Sequence, residues 1–165
     1  MQNLLIFQSL WSMERRSAQY PELSLEENIE KIAAAGFDGI SIHWYDRKVV
    51  SRVAELLSQH GLQAEGQCFP KTVDELKPVL EIAAEFPVHH INLQPDVRPR
   101  RLEDCVPLIE GWRRLAEQVE FPVLIETHRD RMTTDLYFTL DLLDRFPDLP
   151  LLADLSHFLV GREFA

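Results

Sequence analysis

Two short segments each end on a carboxylate and an imidazole: Ile125-Glu126-Thr127-His128 and, further along, Ala153-Asp154-Leu155-Ser156-His157. Each follows an apolar run, Pro122-Val123-Leu124-Ile125 in the first case and Leu149-Pro150-Leu151-Leu152-Ala153 in the second. Each run therefore delivers an acid and a His where a buried strand reaches solvent. Carboxylate oxygen together with neutral imidazole nitrogen suits a divalent ion of the Mn, Mg, Co or Zn kind. His157 is read as loop-borne, three residues after Asp154, where it can fold back toward the same ion or its substrate. Acidic residues also follow strands for turn chemistry alone; repetition of the pairing on successive units is what favours a site.

The elements that must position these residues alternate regularly. Six strand candidates, 3–10, 37–43, 62–68, 88–94, 121–126 and 150–154, are separated by five helix candidates. The first helix opens at Ser24 with Glu27 three residues on, a capping-box spacing, and stops at Gly36. The second spans about Arg47 to His60 and ends at Gly61; the third is capped by Thr72 with Glu75. The fourth covers about Leu102 to Val119, and the fifth starts near Thr133 or Thr134 with Leu136, Leu140 and Leu143 turned inward. Such βα alternation with short connections implies a parallel sheet, either doubly wound or closed into a barrel. The segment after the first strand, Trp11-Ser12-Met13-Glu14-Arg15-Arg16, has no glycine to wrap a pyrophosphate, which disfavours a dinucleotide-binding sheet. Functional residue types stand at nearly every strand end, as they do in barrels. The expected fold is thus α/β of the (β/α)8 TIM barrel type, present as an incomplete barrel of about six βα units in one domain, residues 1–165.

At Gly36-Phe37-Asp38-Gly39-Ile40, Glu126-Thr127-His128 and Asp154-Leu155-Ser156-His157 the chain resembles the xylose isomerase-like barrel superfamily. That group includes sugar isomerases, ketose 3-epimerases, inosose dehydratases and endonuclease IV DNA-repair enzymes. The resemblance implies metal ligands after strands five, six, seven and eight, and matches Glu126 and Asp154 to the first two. It implies for His157 a substrate-binding role or, as in multi-zinc members, a further ligand. It also implies that strands seven and eight, with their His and Glu, are missing, which would leave open strand edges and favour self-association. The activity it implies is metal-dependent isomerisation or epimerisation of a sugar, polyol or related acid, with Glu126 and His157 as catalytic groups and a crippled activity in the shortened chain. Dehydration of a keto-polyol and a non-catalytic barrel that binds a partner or metabolite are the alternatives; DNA repair is a weaker one. Endonuclease IV supplies histidines where this chain has Gln67 and Gln94, so a single-metal site is favoured.

The candidates for touching substrate are Trp11, His43, Gln94, His128, Arg129 and Arg162, with Trp44 a possible apolar wall and Arg131 a further cation near the motifs. Many Lys and Arg residues fall just after the strands, which suits an anionic ligand; ion pairs with neighbouring acids are the simpler reading. His89 and His90 come early in their strand, toward the opposite end. The formal net charge of −10 argues against nucleic acid and anionic membranes as partners. No apolar run approaches the roughly 20 residues of a membrane span, no secretory leader is evident, and Cys68 and Cys105 have no zinc spacing, so a reduced, cytoplasmic protein is expected.

Overall fold

A computed structural model describes residues 4–14 and 22–163, with side chains described through Val160. The chain alternates β1 (Phe7–Ser9), α1 (Leu25–Ala34), β2 (Gly39–His43), α2 (Arg47–His60), β3 (Gln63–Cys68), α3 (Lys77–Glu85), β4 (His90–Leu93), α4 (Leu102–Ala116), β5 (Val123–Glu126), α5 (Leu136–Arg145), β6 (Leu151–Leu152) and α6 (Ser156–Glu163). Every strand pairs in parallel with the one before it, giving one six-stranded sheet in the order β1-β2-β3-β4-β5-β6. With helices covering one face, the sheet is an incomplete barrel of the (β/α)8 type.

Local chemistry explains the helix limits. Ser24 and Glu27 form both halves of a capping box at the start of α1. Asp46 accepts from the backbone N–H groups of Lys48 and Val49 to open α2. Gly61 ends α2 at φ 67°, a left-handed conformation that costs glycine nothing. Between Thr72 and α3 the chain makes a short 3-10 turn, Asp74–Leu76, before Pro78 enters the first helical turn, so the capping contact from the Glu75 N–H to Thr72 lies ahead of the helix proper.

The period-two alternation of the strands sorts their side chains. Ile40, Ala64, Ile91, Val123 and Ile125 face the helices and join the buried stripes of α1 to α5. The intervening positions, Ser41, Glu65, Gln67, His90, Asn92 and Glu126, line the concave face. A barrel interior is ordinarily packed with branched apolar side chains; here it is polar.

Several expectations are corrected. The strands are shorter than the apolar runs, since hydrogen-bonded pairing covers only their middles. A sixth helix, α6, follows β6, so His157 lies in a first helical turn instead of a loop. Leu140 is 47% exposed, whereas Thr139 and Leu142 are buried: α5 begins at Leu136, later than expected, and packs its Thr139–Leu142 side on the core. Trp44 is fully buried against Gly66 and forms no wall of an open pocket. Asn3, Arg15 and Arg16 lie outside the described residues.

Gly66 is required by that packing: a Cβ there would stand 2.7 Å from Ile91 Cδ1 and 2.9 Å from Trp44 Cδ2. Gly66→Ala should cost about 1–3 kcal/mol through overpacking. At about 2–4 °C per kcal/mol for a chain of this size, the loss is readable as a lower thermal midpoint.

Candidate metal centre at the carboxyl ends of β5 and β6

Glu126 is the last residue of β5 and is only 5% exposed. Its carboxylate is divided in use. Oε2 accepts from Gln94 Nε2 at 2.9 Å and also from Asn92 Nδ2; Oε1 faces His157 Nε2 at 3.8 Å. Burial pushes the Glu126 carboxyl above its ordinary value; the Asn92 hydrogen bond and the nearby His128 oppose this, while the charges of Asp154 and Glu65 add to it.

The turn after β5 is built around one hydroxyl. Thr133 Oγ1 donates to the Glu126 carbonyl at 2.7 Å and accepts from the His128 N–H at 3.0 Å. The chain reverses at Asp130, whose φ of 60° an Asp tolerates and whose N–H donates to Thr134 Oγ1 at 2.9 Å. His128 lies 2.6 Å through Nδ1 from the Arg129 carbonyl oxygen. A carbonyl can only accept, so Nδ1 carries the proton and Nε2 is the nitrogen left to face a ligand.

The second strand end is tied to the first: the Thr127 N–H donates to the Leu152 carbonyl at 3.0 Å and its hydroxyl to the Asp154 carbonyl at 3.1 Å. Asp154 Oδ1 accepts from the Ser156 N–H at 3.0 Å and hydroxyl at 2.6 Å, which opens α6 and leaves Oδ2 3.5 Å from His157 Nε2. Burial would raise the Asp154 carboxyl, but the Ser156 hydrogen bonds and the adjacent His157 imidazole outweigh it and hold it below its ordinary value. One imidazole nitrogen thus faces both acids at 3.8 Å and 3.5 Å, so Glu126 and Asp154 lie well within the roughly 10 Å beyond which one ion could not serve both.

The rings of His128 and His157 lie 3.8 Å apart at their centroids. Burial first, and then the neighbouring His128, lower the pKa of His157 below 6.5, so it is neutral at pH 7 and able to ligate. Ligand atoms of Glu126, His128 and His157 all lie within 4.8 Å of one another, a two-imidazole, one-carboxylate group. Asp154 stands beside this group through His157. His157 Nδ1 is buried without a hydrogen-bond partner among the described residues. That orphaned nitrogen, the Nε2 of His128 and Oε1 of Glu126, which accepts no hydrogen bond among the described residues, are the polar capacity a divalent cation would satisfy, and the donor set fits one.

Of the remaining candidates, Gln94 is brought into the centre, and Arg129 contributes its carbonyl. Trp11 and His43 are not in it: with Gln67 they border a separate cleft of about 510 Å³ at the ends of β1 to β3, where the His43 ring packs edge-on against Phe69 at 5.2 Å. Arg131 pairs with Asp96. The Arg162 side chain lies outside the described residues. Asn92, Thr133 and Glu65 were not singled out in the sequence. The signal for Asn92 and Glu65 is period-two polarity within β3 and β4; Thr133 has no local signal.

No family model matches the chain, and no curated protein matches it. Among solved structures it is similar to AP endonuclease, family 2, from Brucella melitensis, at 18% identity over 93% of this chain and 70% of that one, with a TM-score of 0.67. It is also similar to deoxyribose phosphate aldolase from Aeropyrum pernix, at 12% identity over 89% and 60%, TM-score 0.59. A third is 4-hydroxy-tetrahydrodipicolinate synthase from the thermoacidophilic methanotroph Methylacidiphilum fumariolicum SolV, at 15% identity over 83% and 51%, TM-score 0.58. At these identities the likeness is one of fold, the TIM barrel, and the chain spans from about half to 70% of each. No described helix is long and apolar enough to cross a membrane.

The raised carboxyl of Glu126 makes a signed prediction. A carboxyl whose folded pKa exceeds its unfolded one contributes stability below the unfolded value, near 4.5 here, and that contribution is lost as pH rises through the folded value. In metal-free protein, Glu126→Gln should therefore leave the thermal midpoint unchanged near pH 4 and raise it above wild type at pH 7. The rise should be about 2–4 °C for each kcal/mol recovered. A midpoint lowered at pH 7 would mean that the ionised carboxylate is stabilising as it stands.

Proposed function

We propose that Glu126, His128 and His157 hold a divalent metal ion, with Asp154 beside them, and that the site serves isomerisation or epimerisation of a sugar or polyol by proton transfer next to a carbonyl. The convergence of the three ligand atoms within 4.8 Å at the carboxyl ends of adjacent barrel strands is the observation that carries this reading. Two imidazoles with one carboxylate favour Mn, Co or Zn over the harder Mg and Ca.

When bound, the ion would polarise a substrate carbonyl and acidify the neighbouring C–H. The protein's own contribution is in Glu126 and the imidazoles. Glu126 Oε1 has two lone pairs, one for the ion and one to accept the proton from carbon and return it to the adjacent carbon or to the same one, its partner oxygen being occupied by two amides. Its burial strengthens it as a base. His157 and His128 ligate or orient substrate oxygens. A DNA-cleaving role, suggested by the likeness to the Brucella AP endonuclease, is weighed down by the net charge of −10.

Calorimetry with Mn²⁺, Co²⁺, Zn²⁺ and Mg²⁺ tests the site. Mg²⁺ should bind most weakly, and His128→Ala and His157→Ala should each weaken Mn²⁺ at least about tenfold. Incubating the Mn²⁺-loaded protein with a panel of aldoses and ketoses in D₂O should place deuterium beside the carbonyl, and Glu126→Gln should abolish that exchange. Incision of an abasic duplex without sugar exchange would replace this reading by the DNA one.

A further inference from the structure

The carboxylate of Glu126 is held by groups that no ligand set includes. Asn92 lies on the concave face of β4, only 2% exposed as a residue, between the carboxylates of β3 and β5. Its Nδ2 donates to Glu65 Oε1 at 3.2 Å and to Glu126 Oε2. An amide nitrogen has two hydrogens, one for each carboxylate; the opposite amide orientation would set its oxygen against two acids, so the chemistry fixes the assignment. Glu65 in turn lies 3.3 Å through Oε2 from His90 Nε2, with side-chain exposures of 12% and 10%. Gln94 Nε2 supplies the second donor to Glu126 Oε2. The result is a buried seam inside the barrel, His90 to Glu65 to Asn92 to Glu126, which runs from the early part of β4 up to the candidate centre.

Both amide donors fall on the same oxygen of Glu126. A carboxylate oxygen accepting two N–H groups has little left for a cation, while Oε1, the oxygen that faces His157, accepts no hydrogen bond among the described residues. Groups behind a ligand commonly set its orientation and its affinity for the ion. We propose that Asn92 is a positioning residue that, with Gln94, restricts Glu126 to ligation through one oxygen, and that the Glu65–His90 pair anchors Asn92. This rests on the metal reading above and adds its selectivity: a one-oxygen Glu beside two imidazoles disfavours Ca²⁺, which seeks six to eight oxygens and often takes a carboxylate through both.

The test compares Mn²⁺ and Ca²⁺ affinities by calorimetry, and the visible absorption of the Co²⁺ form, for wild type, Asn92→Leu and Gln94→Met. Asn92→Leu should weaken Mn²⁺ by about 10–100-fold, weaken Ca²⁺ less or tighten it, and lower the Co²⁺ band intensity as the second oxygen enters coordination. Gln94→Met removes one donor without touching Glu65, so it should shift the same ratio in the same direction by less, and it keeps the test decisive if Asn92→Leu does not fold. A purely structural role would lower the thermal midpoint and leave the Mn²⁺ to Ca²⁺ ratio and the Co²⁺ spectrum as in wild type, and that result overturns the inference alone. Failure of the wild-type protein to bind any of the three ions overturns the metal reading and this inference with it.

Discussion

A carboxylate that is 95% withdrawn from water must be compensated, and the interior of this sheet is organised around that demand at Glu126. The parallel pairing of β3, β4 and β5 sets Glu65, Asn92 and Glu126 on the same face of neighbouring strands, close enough for one amide to serve two acids. Hydrogen bonds satisfy one half of Glu126 and His90 partners Glu65, but among the described residues no Lys or Arg pairs with Oε1, which faces His157, whose pKa burial lowers. The raised carboxyl follows from that shortfall, and a cation is the simplest group to remove it.

The loops beyond the strands answer the same constraint with hydroxyls. Thr127 ties the β5 end to β6, Thr133 folds the chain back over Glu126, and Ser156 restrains Asp154 as α6 begins. Each acid of the pair is held through one oxygen and presents the other to His157. Rigid strand ends carry the carboxylates, while the imidazoles come from the connecting turn and a helix start. This division suits a site in which ligand atoms must meet within a few ångströms, because the strands fix the acids and short side-chain bonds fix the rings.

The same scaffold, judged by the endonuclease, aldolase and synthase structures it is similar to, carries unrelated chemistry at one end. Function in such a fold resides in the side chains at the strand ends. In this chain those on β5 and β6 gather into one group, whereas Trp11, His43 and Gln67 on the first three strands border a cleft of their own. Between the two regions the interior is polar: Gln67 Nε2 donates to Glu65 Oε1 at 3.4 Å, and Asn92 joins Glu65 to Glu126.

The βα alternation, the helix limits at Ser24, Arg47 and Gly61, and the acidic strand ends at Glu126 and Asp154 were legible in the sequence, because caps, left-handed glycines and period-two runs act over a few residues. The alternation also determined that any polar residue two positions from another in β3 or β4 would share its face. Which residues meet across strands was not legible. Asn92 reaches Glu126 only through the register of β4 on β5, and His128 approaches His157 only because the Thr133 hydroxyl closes one turn and α6 begins where a loop was expected. The burial that drives the phase of α5, the exposure of Leu140 and the withdrawal of Trp44 from any pocket likewise depends on neighbours distant in the chain. Sequence sets which groups stand at strand ends; register and turn closure, summed over non-local contacts, decide which of them share one space.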